Sequence, residues 1–232
     1  MPKYCSLDKD FFKTWSPNMA YVLGYIAADG NISIGKRGNH YLALEGIDKD
    51  LIVNIKQVLG SGHTITSRRR NVGWNKTYRL QIGSKEMVGD LIKLGMTPNK
   101  AKRLCLPSIP KKYFGDFVRG YFDGDGNVCF SRYKRKDRKN GYIQYIRVLF
   151  TSCSEVFLKA IVLRLENESG IDNFHLRARG NYYLLYCHKN EQVKKIFELF
   201  YGSHPALYLN RKFVYFKEAL EKMNMGASHS PA

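Results

Sequence analysis

Acid and cysteine are scarce in this chain. Only 20 Asp and Glu stand against 38 Lys and Arg, and the 5 cysteines are scattered. Cys5, Cys105, Cys129, Cys153 and Cys187 are odd in number and form no CxxC pair. That pattern argues against a disulfide framework and against a structural zinc site. The cysteines read as reduced, mostly buried thiols in an intracellular, reducing compartment, whether cytoplasm or organelle matrix. Long hydrophobic runs are also missing. No stretch approaches the roughly 18 apolar residues that a membrane span requires. The opening MPKYCSLDKDFF holds acids and no apolar segment, so it does not read as a secretory signal.

What is abundant is positive charge, a formal +18. It is not a basic tail. Residues 1–115 carry 19 Lys and Arg against 8 Asp and Glu, and residues 116–232 carry 19 against 12. A field of this size spread over both halves points to a polyanionic partner, because each neutralised phosphate releases counterions.

The two halves repeat the same order of signals. Each begins with a helix ending in Asp-Gly-Asn. The first opens at Ser16-Pro17, an N-cap followed by proline at the first helical position; the second follows Pro110. Two strand-like runs come next, NISIGKR with HYLALEGI, then NVCFSRY with YIQYIRVLFTS. A helix follows in each half, at 49–59 before Gly60 and at 154–168 before Gly170, where glycine suits a left-handed cap. Two more strands and further helices (85–94; 191–201 and 211–223) close each unit. The expected fold is α+β: two αββαββα repeats, 1–115 and 116–225, each a four-stranded antiparallel sheet with helices on one face. The tail 226–232 is expected to be disordered.

Strand alternation assigns faces. Ile65, Tyr78, Leu80 and Ile82 turn inward, which leaves Thr66, Arg68, Arg70, Thr77, Arg79 and Gln81 on the other side. In the second half Leu176 and Ala178 turn inward and His175, Arg177 and Arg179 outward. Ser33 and Arg37, then Ser131, Tyr133, Arg147 and Tyr183, complete the set expected to meet nucleic acid. Arginine and glutamine are the side chains that pair with guanine and adenine edges in the major groove. The run RYKRKDRKNG, 132–141, reads as a projecting loop whose Lys134 and Lys136 grip phosphates without specifying sequence. A strand of about 10 residues at ~3.3 Å each follows ~10 base pairs, so two sheets imply a target of roughly 20 base pairs.

The two helix ends pose a chemical problem. Asp29 and Asp125 sit at C-termini, where the helix dipole is already negative. Small residues on each helix (Ala20, Gly24, Ala27 and Ala28; Gly120 and Gly124) permit close docking. Docking would bring two carboxylates together at two negative ends. A divalent cation removes that repulsion, and oxygen ligands of this kind suit magnesium.

VLGYIAADG (22–30) and VRGYFDGDG (118–126) resemble the two signature helices of the LAGLIDADG homing endonucleases, in the monomeric two-repeat form. The resemblance covers nearly the whole chain. It implies pseudo-twofold-related repeats, saddle-shaped sheets in the major groove, and metal-dependent cleavage of both DNA strands with short 3′ overhangs. It implies Asp29 and Asp125 as the active carboxylates, with the Ala28 and Gly124 carbonyls as further ligands to two or three shared magnesium ions; calcium would occupy the site without cleavage. It implies a basic residue near each scissile phosphate, Lys100 (Lys102 as runner-up) and Lys212. Two departures stand out. The motif's earlier acid is Ala27 in one copy and Asp123 in the other. The water-ordering glutamine of many members is absent, with Glu45 or Thr151 in its region. Two other readings of the same fold stay open: an intron RNA maturase, and a DNA-binding regulator with an inactive site.

Overall fold

The computed structural model describes residues 5–69, 73, 75–134 and 142–227. Element order is α1 (Pro17–Asp29), β1 (Gly30–Ile34), β2 (His40–Gly46), α2 (Lys49–Val58), β3 (Ile65–Arg68), β4 (Thr77–Gly83) and α3 (Lys85–Lys93). After a 3₁₀ turn at Lys111–Tyr113 come α4 (Phe114–Asp125), β5 (Gly126–Lys134), β6 (Tyr142–Ser152), α5 (Glu155–Ser169), β7 (Phe174–Arg179), β8 (Tyr182–Cys187), α6 (Asn190–Tyr201) and α7 (Asn210–Ala227). The strands form two antiparallel four-stranded sheets of the same order, β1-β2-β4-β3 and β5-β6-β8-β7. The α+β architecture in two repeats is therefore present. Helix α7 runs through Ala227, two residues into the expected tail; 228–232 lie outside the described residues.

Local signals explain the helix ends. Ser16 Oγ accepts a 3.1 Å hydrogen bond from Met19 N–H, with Pro17 at the first helical position. Ser84 and Ser154 cap α3 and α5 in the same way. Gly170 ends α5 at φ 58°, a left-handed cap that a side chain would strain.

Two compact units emerge, residues 1–124 with 206–209, and 125–205 with 210–232. Helix α4 opens the second sequence repeat, yet all but its last residue packs in the first unit. In the first unit, α1, α2 and α3 cover one face of the first sheet. Ile32, Leu42, Leu44, Leu80 and Ile82 fill that face and are at most 4% exposed. In the second unit, α5, α6 and α7 cover the corresponding face. There Val128, Ile146, Val148, Phe150, Leu185 and Cys187 are buried. Alternate residues on each strand point the other way, as the pleat requires.

Inside the first unit, α1 and α4 meet backbone to backbone. A Cβ on Gly24 would fall on the Phe117 carbonyl oxygen, and one on Gly120 would fall on the Tyr21 carbonyl oxygen. Glycine is required at both places by this approach, not by backbone dihedral.

Candidate active site and nucleic-acid interface

Asp29 is the exposed last residue of α1, and Asp125 the half-buried last residue of α4. Beside Asp29, a Cβ added to Gly124 would lie 3.3 Å from the Asp29 carboxylate and would collide with Ala28 Cβ. Asp29 also borders a concavity of about 490 Å³ in the first unit, lined by Asn31, Ala43, Glu45, Asn75, Thr77 and Arg79 among others.

The two lysines expected from the motif arrangement have matching environments. Lys100 Nζ donates to the Gly30 carbonyl oxygen. Lys212 Nζ donates to the Gly126 carbonyl oxygen at 2.6 Å. Each acceptor is the residue directly after a motif aspartate. Lys212 is 8% exposed, unusual for a lysine, and Lys100 is half-buried. Lys102 is exposed.

No group of three or more His, Cys, Asp or Glu that could hold a metal occurs among the described residues. The donor set is instead a carboxylate at a helix end with backbone carbonyls beside it. Magnesium commonly keeps several waters and binds through one or two carboxylates plus substrate phosphates. These residues fit that mode and not a closed protein cage.

The first sheet's uncovered face holds most of the residues expected there. Strand register sets Glu45 opposite Arg79, Arg79 opposite Thr66, Arg68 opposite Thr77, and Gln81 opposite Ala43, with Ser33 opposite Tyr41. Arg37 lies in the turn between β1 and β2. Arg70 and Lys136 lie outside the described residues. Glu45 shares this face with the arginines. Arg68 Nη2 lies 3.1 and 3.2 Å from the two Glu45 carboxylate oxygens.

On the second sheet Ser131, Tyr133, Arg147, His175, Arg177 and Arg179 share the uncovered face. Tyr183 does not. It pairs with Ser152 and Ala178, both on the helix side; the open-face tyrosines of β8 are Tyr182 and Tyr186. Lys134 is not in a loop but is the exposed last residue of β5, in the alternation of Arg132 rather than of Tyr133.

Sequence reading missed a cluster centred on Tyr186. Arg147 lies 4.8 Å and Arg177 5.5 Å from its ring centroid, and His175 stacks on it at 5.1 Å. His188 stacks on His175 at 5.0 Å. Burial, and then the nearby His175 and Arg147, lower the His188 pKa. Tyr133 and Tyr145 stack with their hydroxyls 3.0 Å apart. Alternation through β6 could have flagged Tyr145, which shares the parity of Arg147.

Comparison with known proteins fits this geometry. Residues 16–93 match a family model described as a LAGLIDADG-like domain, and residues 118–220 match one described as LAGLIDADG endonuclease. An uncharacterized protein of Methanocaldococcus jannaschii, MJ0398, is 24% identical over 213 residues, covering 90% of this chain and 73% of that protein. The crystal structure of the I-LtrWI LAGLIDADG homing endonuclease bound to target DNA is similar at TM-score 0.63 and 14% identity, covering 94% of this chain and 92% of that one. The I-SmaMI LAGLIDADG homing endonuclease bound to cleaved DNA gives TM-score 0.63 and 16% identity, covering 91% of both chains. I-SmaMI bound to uncleaved DNA target in the presence of calcium ions gives 0.62 and 15%, covering 91% of this chain and 93% of that one. With both motif helices in one polypeptide and two matching four-stranded sheets, the chain belongs to the LAGLIDADG homing endonuclease family.

Proposed function

We propose that this protein is a site-specific endonuclease that cleaves both strands of a long double-stranded DNA target by magnesium-dependent hydrolysis. The observation that carries this reading is the repeated pairing of lysine with motif: Lys100 on the Gly30 carbonyl and Lys212 on the Gly126 carbonyl, each one residue beyond Asp29 or Asp125. A regulator or a fold used only for binding has no need of two such pairs. The relatives bound to DNA, one of them with calcium ions present, support the same reading.

Asp29 and Asp125 are the residues that would hold the ions, with the Ala28 and Gly124 carbonyls beside them. Bound magnesium supplies Lewis acidity at the scissile phosphate and lowers the pKa of an attacking water. Lys100 and Lys212 offset the negative charge that grows on the phosphoryl oxygens in the transition state. Their backbone bonds hold the ammonium groups in place before substrate arrives, so little reorganisation is left for the reaction. The protein supplies no nucleophile of its own.

Recognition falls to the uncovered sheet faces. Arg79, Gln81, Arg177 and Arg179 read base edges, while exposed lysines position the backbone. Strand β6 has 11 residues, about 36 Å at ~3.3 Å each, or roughly 11 base pairs. Strand β2 has 7 residues, enough for roughly 7 base pairs. Each sheet following its own stretch of duplex gives a target of roughly 18 base pairs, close to the roughly 20 expected.

Selection of cleaved molecules from a randomised duplex library, with magnesium present, tests the proposal. The expected result is one consensus of that length, cut on both strands. Recovery of no cleaved sequence across libraries, while the protein binds duplex, overturns it.

A further inference from the structure

The short segment Ala206–Leu209 belongs to the first unit, although the chain on both sides of it belongs to the second. Two side chains of α4 hold it there. Arg119 Nε donates to the Leu207 carbonyl oxygen at 3.1 Å, and Asp123 Oδ2 accepts from Leu209 N–H at 2.8 Å. Arg119 is 2% and Asp123 3% exposed, so neither contact is a surface accident. Each is held by a further partner. Asp116 pairs with Arg119 at 2.8 Å, and Tyr21 O–H donates to the same Asp123 oxygen at 2.7 Å. The Arg119 guanidinium also lies 5.3 Å from the Tyr21 ring centroid. Burial and the adjacent Asp123 push the Tyr21 hydroxyl pKa well up, so it stays a donor. The Leu207 and Leu209 side chains are themselves buried.

What this grip controls follows from chain spacing. Helix α7 starts at Asn210, directly after Leu209, and Lys212 sits in its first turn. Asp123 is three residues before Gly126, and Leu209 is three residues before Lys212. The bond from Leu209 to Asp123 and the bond from Lys212 to Gly126 therefore close one small ring of backbone and side chain. Opening the first bond frees the start of α7 and with it the reach of the lysine. At the corresponding positions of the first motif stand Leu23 and Ala27, whose side chains cannot form these two bonds.

We propose that Arg119 and Asp123 are positioning residues for Lys212: the buried polar clamp they form on the segment before α7 sets where this lysine sits. This rests on the endonuclease reading only for its consequence in catalysis: loosening the clamp slows cleavage of one DNA strand and spares the other.

The test compares Asp123→Ala with Asp123→Asn. Asparagine keeps an acceptor oxygen for Leu209 and Tyr21, while alanine removes it. Acetic anhydride labelling read by mass spectrometry reports how shielded each lysine is. Lys212 labelling should rise about tenfold in Asp123→Ala, as expected for local opening after loss of a buried bond. Asp123→Asn should stay near the intact protein, and Lys100 should not change in either. On a selected duplex labelled on each strand, Asp123→Ala should nick one strand about tenfold more slowly, the same strand that Lys212→Ala slows most. Where Asp123→Ala does not fold, Tyr21→Phe removes the tyrosine's bond to the carboxylate and carries the same test with a smaller rise. Unchanged Lys212 labelling in folded variants overturns the inference, as does equal slowing of both strands. Increased Lys212 labelling in a protein whose unmodified form cuts no duplex would instead support the clamp and sink the endonuclease reading.

Discussion

Lys212 Nζ is hydrogen-bonded to the Gly126 carbonyl oxygen at 2.6 Å, and its side chain is almost fully withdrawn from solvent. An ammonium group gives up its hydration only where something else binds it, and the Gly126 carbonyl, one residue from Asp125, is part of what binds it here. Lys100 repeats the arrangement on Gly30. A lysine held in this way is prepared to meet charge that develops during reaction. Lys212→Ala or Lys100→Ala should lower cleavage by about 10²–10³-fold, the range for removing one preorganised donor. Binding of the same duplex in calcium, followed by gel shift, should change little.

Packing of α1 on α4 gives the sharpest stability prediction. Gly24 and Gly120 each face the other helix's backbone, and a Cβ would come 2.9 Å from the Phe117 or Tyr21 carbonyl carbon. Backbone cannot rotate aside as a side chain can. Gly24→Ala or Gly120→Ala should therefore cost at least about 1–3 kcal/mol, the overpacking range. Gly89→Ala, where a Cβ meets nothing within 4 Å, is the control and should be neutral or stabilising. Denaturant titration of the three variants decides the matter.

Arginines on the sheet faces should differ from lysines on the rim. Arg79→Ala or Arg177→Ala should cost ~1–3 kcal/mol on the selected target and relax preference at one or two positions. Lys134→Ala should weaken all sequences alike and reduce the salt slope by about 1. Glu45→Gln should do the opposite to binding. It releases Arg68 from its ion pair and removes a negative charge facing the phosphates, so affinity for unrelated duplex should rise. Folding should change by less than about 1 kcal/mol, as for most partly exposed pairs. Equilibrium titrations at several salt concentrations measure all four.

His63 and His188 should make folding pH-dependent. Burial lowers both, assisted by Lys56 at His63 and by His175 and Arg147 at His188. A histidine with a depressed folded pKa takes up its proton later in the native state than in the unfolded chain. Its contribution is therefore complete above the ordinary value of 6.5 and is lost as pH falls through the lowered one. Denaturation midpoints should drop between pH 7 and pH 5. The double variant His63→Gln/His188→Gln should show a flatter profile, and an unchanged slope would contradict these environments.

The parts legible in sequence were those with local causes. Ser16-Pro17 starts a helix wherever it falls, and Gly170 ends one. The alternation through Leu42, Leu44, Leu80 and Ile82 fixes which face is covered. Two helices with glycine at equivalent places, Gly24 and Gly120, announced their contact. Long-range pairing was not legible. Strand β8 reads YYLLYC, apolar or aromatic at every position, so its parity is set only by its partners; that is why Tyr183, expected among the residues that meet DNA, lies on the helix side. Glu45 and Arg68 are 23 residues apart and meet only through β4. The reach of Asp123 to Leu209, across 86 residues, depends on a segment returning to a unit that its neighbours have left.

The two motif aspartates make the most direct prediction. Asparagine at Asp29 or Asp125 preserves size and removes the charge that would hold a cation. Both aspartates end a helix, where a negative charge opposes the dipole, so folding in metal-free buffer should survive and should gain up to ~1 kcal/mol at the partly exposed sites. DNA binding should persist, because the sheet faces and the surrounding lysines and arginines carry it. It should tighten slightly, since one negative charge near the phosphates has gone. Cleavage should fall by several orders of magnitude, because neither remaining carbonyl can replace a carboxylate as an anionic ligand to magnesium. The comparison is made on one selected duplex, with binding measured in calcium and cleavage in magnesium, for the unmodified protein, Asp29→Asn and Asp125→Asn. Loss of cleavage with retained binding in both variants is the expected outcome. Linearisation of the duplex at the unmodified rate by either variant would remove that residue from the active site.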